Sequence, residues 1–377
     1  MTGTSETVRQ SREAAALDRI ERHRRHRPRL RDEVITLAHG AGGKASAALL
    51  EAVFLPAFGG APADGGSART PAEHMALTDA AVLTLAGGSR IALTTDSFVV
   101  KPLRFPGGSL GHLAVHGTLN DLAVMGARPI GLSAAFVLEE GLPVERLCEI
   151  VADMAGAASA VGVGIVTGDT KVVDRGAADG LYVTTSGVGV IPDGRHLSAA
   201  RVAEGDVVLC SGTIGDHGTA VMLARGDLSL EADVRSDTAP LCSLTEDLLA
   251  AAPGIRWMRD ATRGGVGTVC NELARDTGLT VVLEEAALPV RPAVAGACEL
   301  LGIDPLYVAN EGKLLAVSAP CDADRALAAL RAHPLGREAA RIGEVRTDAP
   351  GLVVLRTPFG GTRIVDMLVG DPLPRIC

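Results

Sequence analysis

The chain ends in a thiol, Cys377, and carries four aspartates, Asp79, Asp96, Asp121 and Asp169, at or beside short apolar segments. Asp121 follows Asn120 inside an apolar helical stretch, where both groups are costly to bury unless coordinated or fully hydrogen-bonded. One such residue alone would mean a cap or a local bond. Several acids on neighbouring elements suggest a hard-cation site, because magnesium takes carboxylate oxygens together with substrate phosphates. Lys171, two residues beyond Asp169, is a cation held beside that set. His39-Gly40-Ala41-Gly42-Gly43-Lys44 reads as a glycine-rich turn before a helix, a form that can hold phosphate on backbone N–H groups. It is not the P-loop pattern, since Ala45 and not Ser or Thr follows Lys44, so the signal is weak by itself. A second such turn, Asp260-Ala261-Thr262-Arg263-Gly264-Gly265-Val266-Gly267, opens a later helix.

The terminal run Pro372-Leu373-Pro374-Arg375-Ile376-Cys377 favours an extended, stiff backbone. From Gly370 onward it could span roughly 25 Å, so it reads as a short arm carrying one nucleophile. A frayed terminus that merely ends in cysteine is the plainer reading. The adjoining carboxylate should raise the thiol pKa above its usual ~8.5, with Arg375 offsetting this only in part. Any chemistry at this sulfur therefore needs activation from elsewhere in the chain. The other cysteines, at 148, 210, 242, 270, 298 and 321, are dispersed without a CxxC pair and read as small buried hydrophobes.

A length of 377 residues allows two domains, and 47% hydrophobic with 2% aromatic residues implies cores of Val, Leu, Ala and Ile. A net charge of −9 argues against generic nucleic-acid binding. No run reaches the ~18 apolar residues of a membrane span, and no signal-peptide core is visible, so a cytoplasmic protein is expected. Strands are expected at 34–37, 76–82, 91–96, 164–166 and 181–190, and helices at 45–54, 110–125 and 144–161. A second half from about residue 196 alternates strands and helices similarly, with a helix at 243–252 and strands at 206–210, 281–283 and 314–317. The fold class is α+β, two α/β-like lobes. The expected divisions are a flexible basic extension at 1–33, a first domain at 34–195, a second at 196–369 and a mobile tail at 370–377. Residues 59–73 are expected to form a mobile surface loop.

Seven strings now stand together: Thr94-Thr95-Asp96-Ser97-Phe98, Gly117-Thr118-Leu119-Asn120-Asp121-Leu122, Val166-Thr167-Gly168-Asp169-Thr170-Lys171, Ser211-Gly212-Thr213-Ile214-Gly215-Asp216-His217-Gly218, Asp260-Ala261-Thr262-Arg263-Gly264-Gly265-Val266, Asn310-Glu311-Gly312-Lys313 and Pro374-Arg375-Ile376-Cys377. From about residue 33 the chain resembles the HypE family of hydrogenase-maturation carbamoyl dehydratases. That family lies in the superfamily of aminoimidazole ribonucleotide synthetase, selenophosphate synthetase and thiamine-phosphate kinase. The acidic strings are superfamily-wide; the terminal Pro-Arg-Ile-Cys is much narrower. The resemblance implies a PurM-like fold whose first lobe pairs with its copy in a homodimer barrel, with ATP in clefts near that interface. It implies that a carbamoyltransferase, HypF, loads Cys377, and that ATP then dehydrates the S-carboxamide to a thiocyanate. The cyano group would pass to iron on a HypC–HypD complex and become a cyanide ligand of the NiFe centre.

By the same analogy Asp79, Asp96, Asp121 and Asp169 bind magnesium, and Asp96, Asn120, Asp121 and Asp169 the nucleotide, with Gly42, Gly43 and Lys44 over the triphosphate. Lys171 would stabilise the transferring phosphoryl group. Arg263 with Gly264 and Gly265 would form an anion-binding helix start. Glu311 is the candidate for the base that removes an amide proton, its pKa raised by partial burial, unless it is simply paired with Lys313 or Arg263. His217 reads as a structural hydrogen-bonder. His116 stands where the family commonly has cysteine. Two other readings remain: a small-molecule kinase or synthetase of the same superfamily, in which Cys377 is dispensable, and a non-enzymatic thiol carrier that consumes no ATP.

Overall fold

The structure, a computed structural model, describes Leu30 and residues 32–58, 78–226, 232–370 and 376–377. The expected loop at 59–73 and nearly all of the basic extension lie outside the described residues, as do 371–375 of the tail. The chain forms two compact units, residues 1–66 with 368–371 and residues 67–367 with 372–377.

In the smaller unit, residues 34–36 do not form the expected strand, and Leu37–Gly40 is a single 3-10 turn. His39 fixes it locally: its Nδ1 accepts the Thr36 N–H at 3.0 Å, and its Nε2 lies 3.3 Å from Asp32. The helix that starts at Lys44 is opened by the chain's own backbone. Lys44 N–H donates to the Leu368 carbonyl at 2.8 Å and Ala45 N–H to that of Val369 at 3.3 Å. Gly43 is required here, because a Cβ would stand 2.3 Å from the Leu368 oxygen.

The larger unit carries two sheets. The first comprises β1 (Ala81–Thr84), β2 (Arg90–Phe98), β5 (Arg128–Glu139), β6 (Ile165–Val173) and β7 (Leu181–Ile191). A short hairpin, β3 (Arg104–Phe105) and β4 (Gly108–Ser109), stands apart from it. The strand order is β1-β2-β7-β5-β6, antiparallel except for the β5–β6 pair. β7 alternates strictly between buried and half-buried positions over most of its length, the period of a strand with one covered face. That face is covered by α1 (Leu110–Val124), against which α2 (Val144–Ala160) packs. β6 is different: all but its last residue are exposed, with Val166 at 74% and Val172 at 67%.

The second sheet runs β14-β13-β10-β12-β8-β11-β9. Its strands are β8 (Val207–Cys210), β9 (Ile255–Asp260), β10 (Thr280–Glu284), β11 (Leu314–Ser318), β12 (Ala340–Arg346), β13 (Val353–Arg356) and β14 (Thr362–Val365). All neighbours are antiparallel except β10–β13. Helices α3 (Asp216–Ala224), α4 (Cys242–Ala251), α5 (Gly265–Thr277), α6 (Pro292–Leu301) and α7 (Ala323–Ala332) complete this half. α1 is buried at every position but His112, because it packs on β2 and β7 and also on β9 and α4. A helix apolar all round suits a place between two layers. It also means that a carboxylate on α1 has no route to water along its own element.

Candidate active site

Four acids meet where α1 crosses the ends of β1, β2 and β9. Asp79 lies two residues before β1, Asp96 lies within β2, Asp121 is on α1 and Asp260 ends β9. Ligand oxygens of Asp79, Asp121 and Asp260 all lie within 4.8 Å of one another. Two oxygens on opposite sides of a magnesium ion, each about 2.1 Å from it, stand about 4.2 Å apart. The three carboxylates therefore fit such an ion after a small inward movement. Thr94 Oγ1 sits 2.6 Å from Asp121 Oδ2 and 2.9 Å from the Asp79 carbonyl, fixing two of the acids from β2. Arg259 Nε pairs with Asp79 at 3.0 Å, and its Nη2 with Glu272 of α5 at 3.2 Å.

Crowding shifts all four groups upward. Burial, followed by the charges of Asp96, Asp260 and Asp79, lifts Asp121 well above the ordinary carboxylate range. Burial and the charges of Asp79 and Asp96 do the same to Asp260. Burial raises Asp79 to about 6 despite Arg259, and burial raises Asp96, which shares a hydrogen bond with Asp121. Like charges held out of water in this way call for a cation.

Glu311 adjoins this group. It is 3% exposed, and its Oε1 has no hydrogen-bond partner. Burial, then the charges of Asp260, Asp237 and Asp96, push it well above the usual range, and Arg263 only partly opposes them. The backbone around Glu311 is held by three side chains. Asn120 Nδ2 donates to the Glu311 carbonyl at 3.1 Å, and Asp237 Oδ1 accepts the Glu311 N–H at 3.1 Å. Asn310 donates to the Ala261 carbonyl at 2.7 Å and accepts the Gly215 N–H at 2.8 Å. Lys313, one of the partners considered for Glu311, pairs with Asp237 at 3.2 Å instead.

The chain terminus comes to the same place. The Ile376 side chain is 4% exposed, in a cluster with Phe98, Val100 and Phe105. The Cys377 carbonyl accepts the Val99 N–H at 3.1 Å, one residue past β2. The negative charge at Cys377 is the strongest influence raising the Arg263 guanidinium, ahead of Asp96, Glu311 and Asp121. Arg263 thus lies in the field of the terminus, of Glu311 and of the acids together.

The AIR synthase related protein families match both halves of this arrangement, the N-terminal domain over residues 77–191 and the C-terminal domain over residues 203–354. The chain is 56% identical over 348 residues to the carbamoyl dehydratase HypE of Rhodobacter capsulatus, covering 92% of this chain and 99% of that protein. The chain belongs to the HypE family. Among solved structures it resembles the one in a HypE–HypF complex (46% identity, TM-score 0.78, 85% of this chain and 100% of that one). It also resembles a HypE in complex with ATP (44% identity, TM-score 0.74, 91% and 100%). The fold is accordingly the PurM-like α+β fold expected from the sequence.

Not every residue that the HypE resemblance implied enters the acid group. Asp169 and Lys171 lie on the exposed strand β6, paired with each other at 2.6 Å, and the acid that converges with Asp79 and Asp121 is Asp260. The reason is that 167–171 continue the edge strand through Val173 and do not form a loop after a short strand. Asn120 has both amide protons and its oxygen on backbone groups, those of Ala239, Glu311 and Leu241, so in this structure it clips three segments together. At the Gly42-Gly43-Lys44 turn the N–H groups of Lys44 and Ala45 donate to carbonyls 368 and 369, and that of Gly42 to Ser46 Oγ. Gly264 and Gly265 have a packing reason: both take positive φ, and a Cβ at Gly265 would stand 2.6 Å from the Leu306 and Val308 oxygens. His116 is held neutral, with burial pushing it down to about 3, and its Nδ1 lies 3.0 Å from Thr238 Oγ1. Asp260 and Asp237 were missed as site residues. Asp260 lies three residues before Arg263 in the glycine-rich string; nothing local marks Asp237.

Proposed function

We propose that this chain is an ATP-dependent carbamoyl dehydratase that converts an S-carboxamide on Cys377 to a thiocyanate, supplying a cyanide ligand for a NiFe-hydrogenase iron centre. The observation that carries the reading is the seat of the terminus, with Cys377 bonded to Val99 and in the field of Arg263 beside the buried Glu311.

The amide oxygen attacks the γ-phosphorus of ATP, ADP leaves, and one N–H proton is lost as the C=N bond forms. Expulsion of phosphate and loss of the second N–H proton then give the nitrile. Each proton needs an acceptor, and Glu311 is the buried carboxylate without a hydrogen-bond partner on Oε1. Once ionised, a carboxylate of raised pKa is a stronger base than an ordinary one. Asp79, Asp121 and Asp260, with Asp96 beside them, would hold magnesium, which supplies charge neutralisation at the transferring phosphoryl group. Arg263 adds a fixed positive charge near the developing anionic oxygen.

A homodimer formed along β6 would cover the exposed Val166 and Val172 and bring Asp169 and Lys171 to an interface. HypF, which is found with HypE in a solved complex, would load the carbamoyl group, and a HypC–HypD complex would receive the cyano group. No described helix is long and apolar enough to cross a membrane, and a cytoplasmic site of action fits this chemistry.

The test is intact-mass analysis of the carbamoylated full-length protein with magnesium and ATP. The Cys377 adduct should lose one water as phosphate appears, and Cys377→Ala should lose this reaction while still binding ATP. Thiocyanate formation in that variant would falsify the assignment. Unchanged turnover of a small acceptor without Cys377 would favour a kinase instead.

A further inference from the structure

The chemistry above makes no use of His217, although its side chain is fully buried in the first turn of α3. Its ring stands edge-on to Phe105 at 5.4 Å between centroids. Nδ1 lies 2.8 Å from Ser236 Oγ, and Nε2 lies 3.0 Å from the carbonyl oxygen of Ile376. A carbonyl can only accept, so Nε2 carries the proton. Burial lowers the ring's pKa and keeps it neutral, so Nδ1 is bare and accepts the Ser236 hydroxyl. Ser236 is oriented for this, because its Oγ accepts the Thr238 N–H at 3.1 Å while its own N–H donates to the Pro106 carbonyl at 2.8 Å.

We propose that His217 is a positioning residue that seats the chain terminus, orienting the peptide that carries Cys377 through the Ile376 carbonyl. Apolar burial of the Ile376 side chain fixes how deep the terminus sits, but it is non-directional and leaves rotation open. A hydrogen bond is directional. The Ile376 carbonyl shares a rigid plane with the nitrogen and Cα of Cys377, so holding that oxygen sets the direction in which the sulfur leaves the backbone. The Val99 N–H on the Cys377 carbonyl gives the second fixed point. This inference rests on Cys377 being the reacting sulfur; the seat itself does not.

The experiment compares full-length wild type with His217→Phe, His217→Gln and Ser236→Ala. Phe keeps the ring volume without a donor, whereas Gln places an amide N–H near the position of Nε2. The first readout is the alkylation rate of Cys377 by iodoacetamide without ATP, resolved by peptide mass, with the exposed Cys148 and Cys321 as internal references. Losing one net hydrogen bond should speed alkylation roughly tenfold in the Phe variant, less in Ser236→Ala, and little in Gln. The second readout is single-turnover dehydration, which should fall by a similar factor in Phe with ATP affinity unchanged and recover in Gln. Equal Cys377 alkylation in Phe and wild type overturns the proposal, as does a Gln variant no better than Phe. If the Phe variant unfolds, exposing all seven cysteines, an unchanged rate in Ser236→Ala overturns it instead. A wild type that never dehydrates would sink the functional reading while leaving the alkylation result to judge the seat.

Discussion

The side chain of Asn120 donates to the backbone oxygen of Glu311, 191 positions later, at 3.1 Å. It makes two further bonds, to the Ala239 carbonyl at 3.0 Å and from the Leu241 N–H at 2.7 Å. One amide on α1 therefore ties together the segment after Asp237 and the loop that carries the proposed base. Asn120→Ala leaves three backbone groups, two of them buried, without their partner, and each buried loss costs about 1–3 kcal/mol before relaxation. We expect unfolding by urea to shift by about 3 kcal/mol in total. Dehydration should slow while ATP affinity stays near wild type; a weakened ATP affinity at unchanged stability would make Asn120 a ligand after all.

The crowded acids give a pH dependence of definite sign. Asp79 has its pKa raised to about 6, so the folded chain keeps a proton that the unfolded chain has lost. That contribution to stability is present below the unfolded value near 3.8 and is lost as pH rises through about 6, with Asp121 and Asp260 extending the loss higher. Magnesium competes with those same protons. Its stabilising effect in thermal unfolding should be small at about pH 5 and grow toward about pH 8. An effect of equal size at both ends would show that these carboxylates are not its ligands.

Asp260→Asn tests the acid that the sequence placed in the glycine-rich string before Arg263 without assigning it to the metal. It removes one of three converging oxygens, so magnesium should no longer stabilise the protein and turnover should fall by more than tenfold, since the loss of even an outer-shell partner costs about that much. Asp169→Asn, on the exposed strand, should leave the magnesium-dependent shift in melting temperature intact.

Where function was legible in the sequence, the residues sat on short strings whose neighbours share their task. Asp96, Asp121, Glu311 and Cys377 each stand in such a string, and the structure brings all four into one electrostatic neighbourhood through Arg263. The alternation of β7 and the apolar run of α1 were equally readable, because period and length identify them locally. One reading failed, and two others meet long-range contacts that no local pattern shows. Residues 34–36 are apolar enough for a strand but have no strand to pair with among the described residues, and His39 draws the following turn tight. The glycine turn before Lys44 has the form of an anion cradle, yet carbonyls more than three hundred residues later fill it. Asn120 reads as a ligand because an amide in an apolar helix must be satisfied; which groups satisfy it depends on loops beyond residue 236.

Glu311→Gln keeps the volume and removes the basic oxygen. The backbone bonds that hold the loop come from Asn120 and Asp237 and do not involve the changed group, so folding should persist. Relieving a buried carboxylate whose pKa lies well above the ordinary range should leave stability at neutral pH unchanged or higher. Dehydration should drop by at least a hundredfold, the scale of a lost general base, with ATP binding retained. A variant that still dehydrates at the wild-type rate would move the proton to another acceptor.

The exposed strand β6 gives the last prediction. Val166 and Val172 are 74% and 67% exposed on β6, which stands at the edge of its sheet in the strand order of the described residues. A bare apolar edge invites a second strand, and natural edges are blunted by charge. Placing a charge at the centre of such a patch, Val166→Arg, should convert a dimer to monomer in sedimentation. On this arrangement Lys171, 68% exposed beside Asp169, reaches the reaction only after pairing. Lys171→Ala should therefore slow turnover more than it weakens ATP binding. Val166→Arg should reproduce that loss without touching any of the buried acids, and a monomeric Val166→Arg protein with full dehydration activity would remove both the edge and Lys171 from the mechanism.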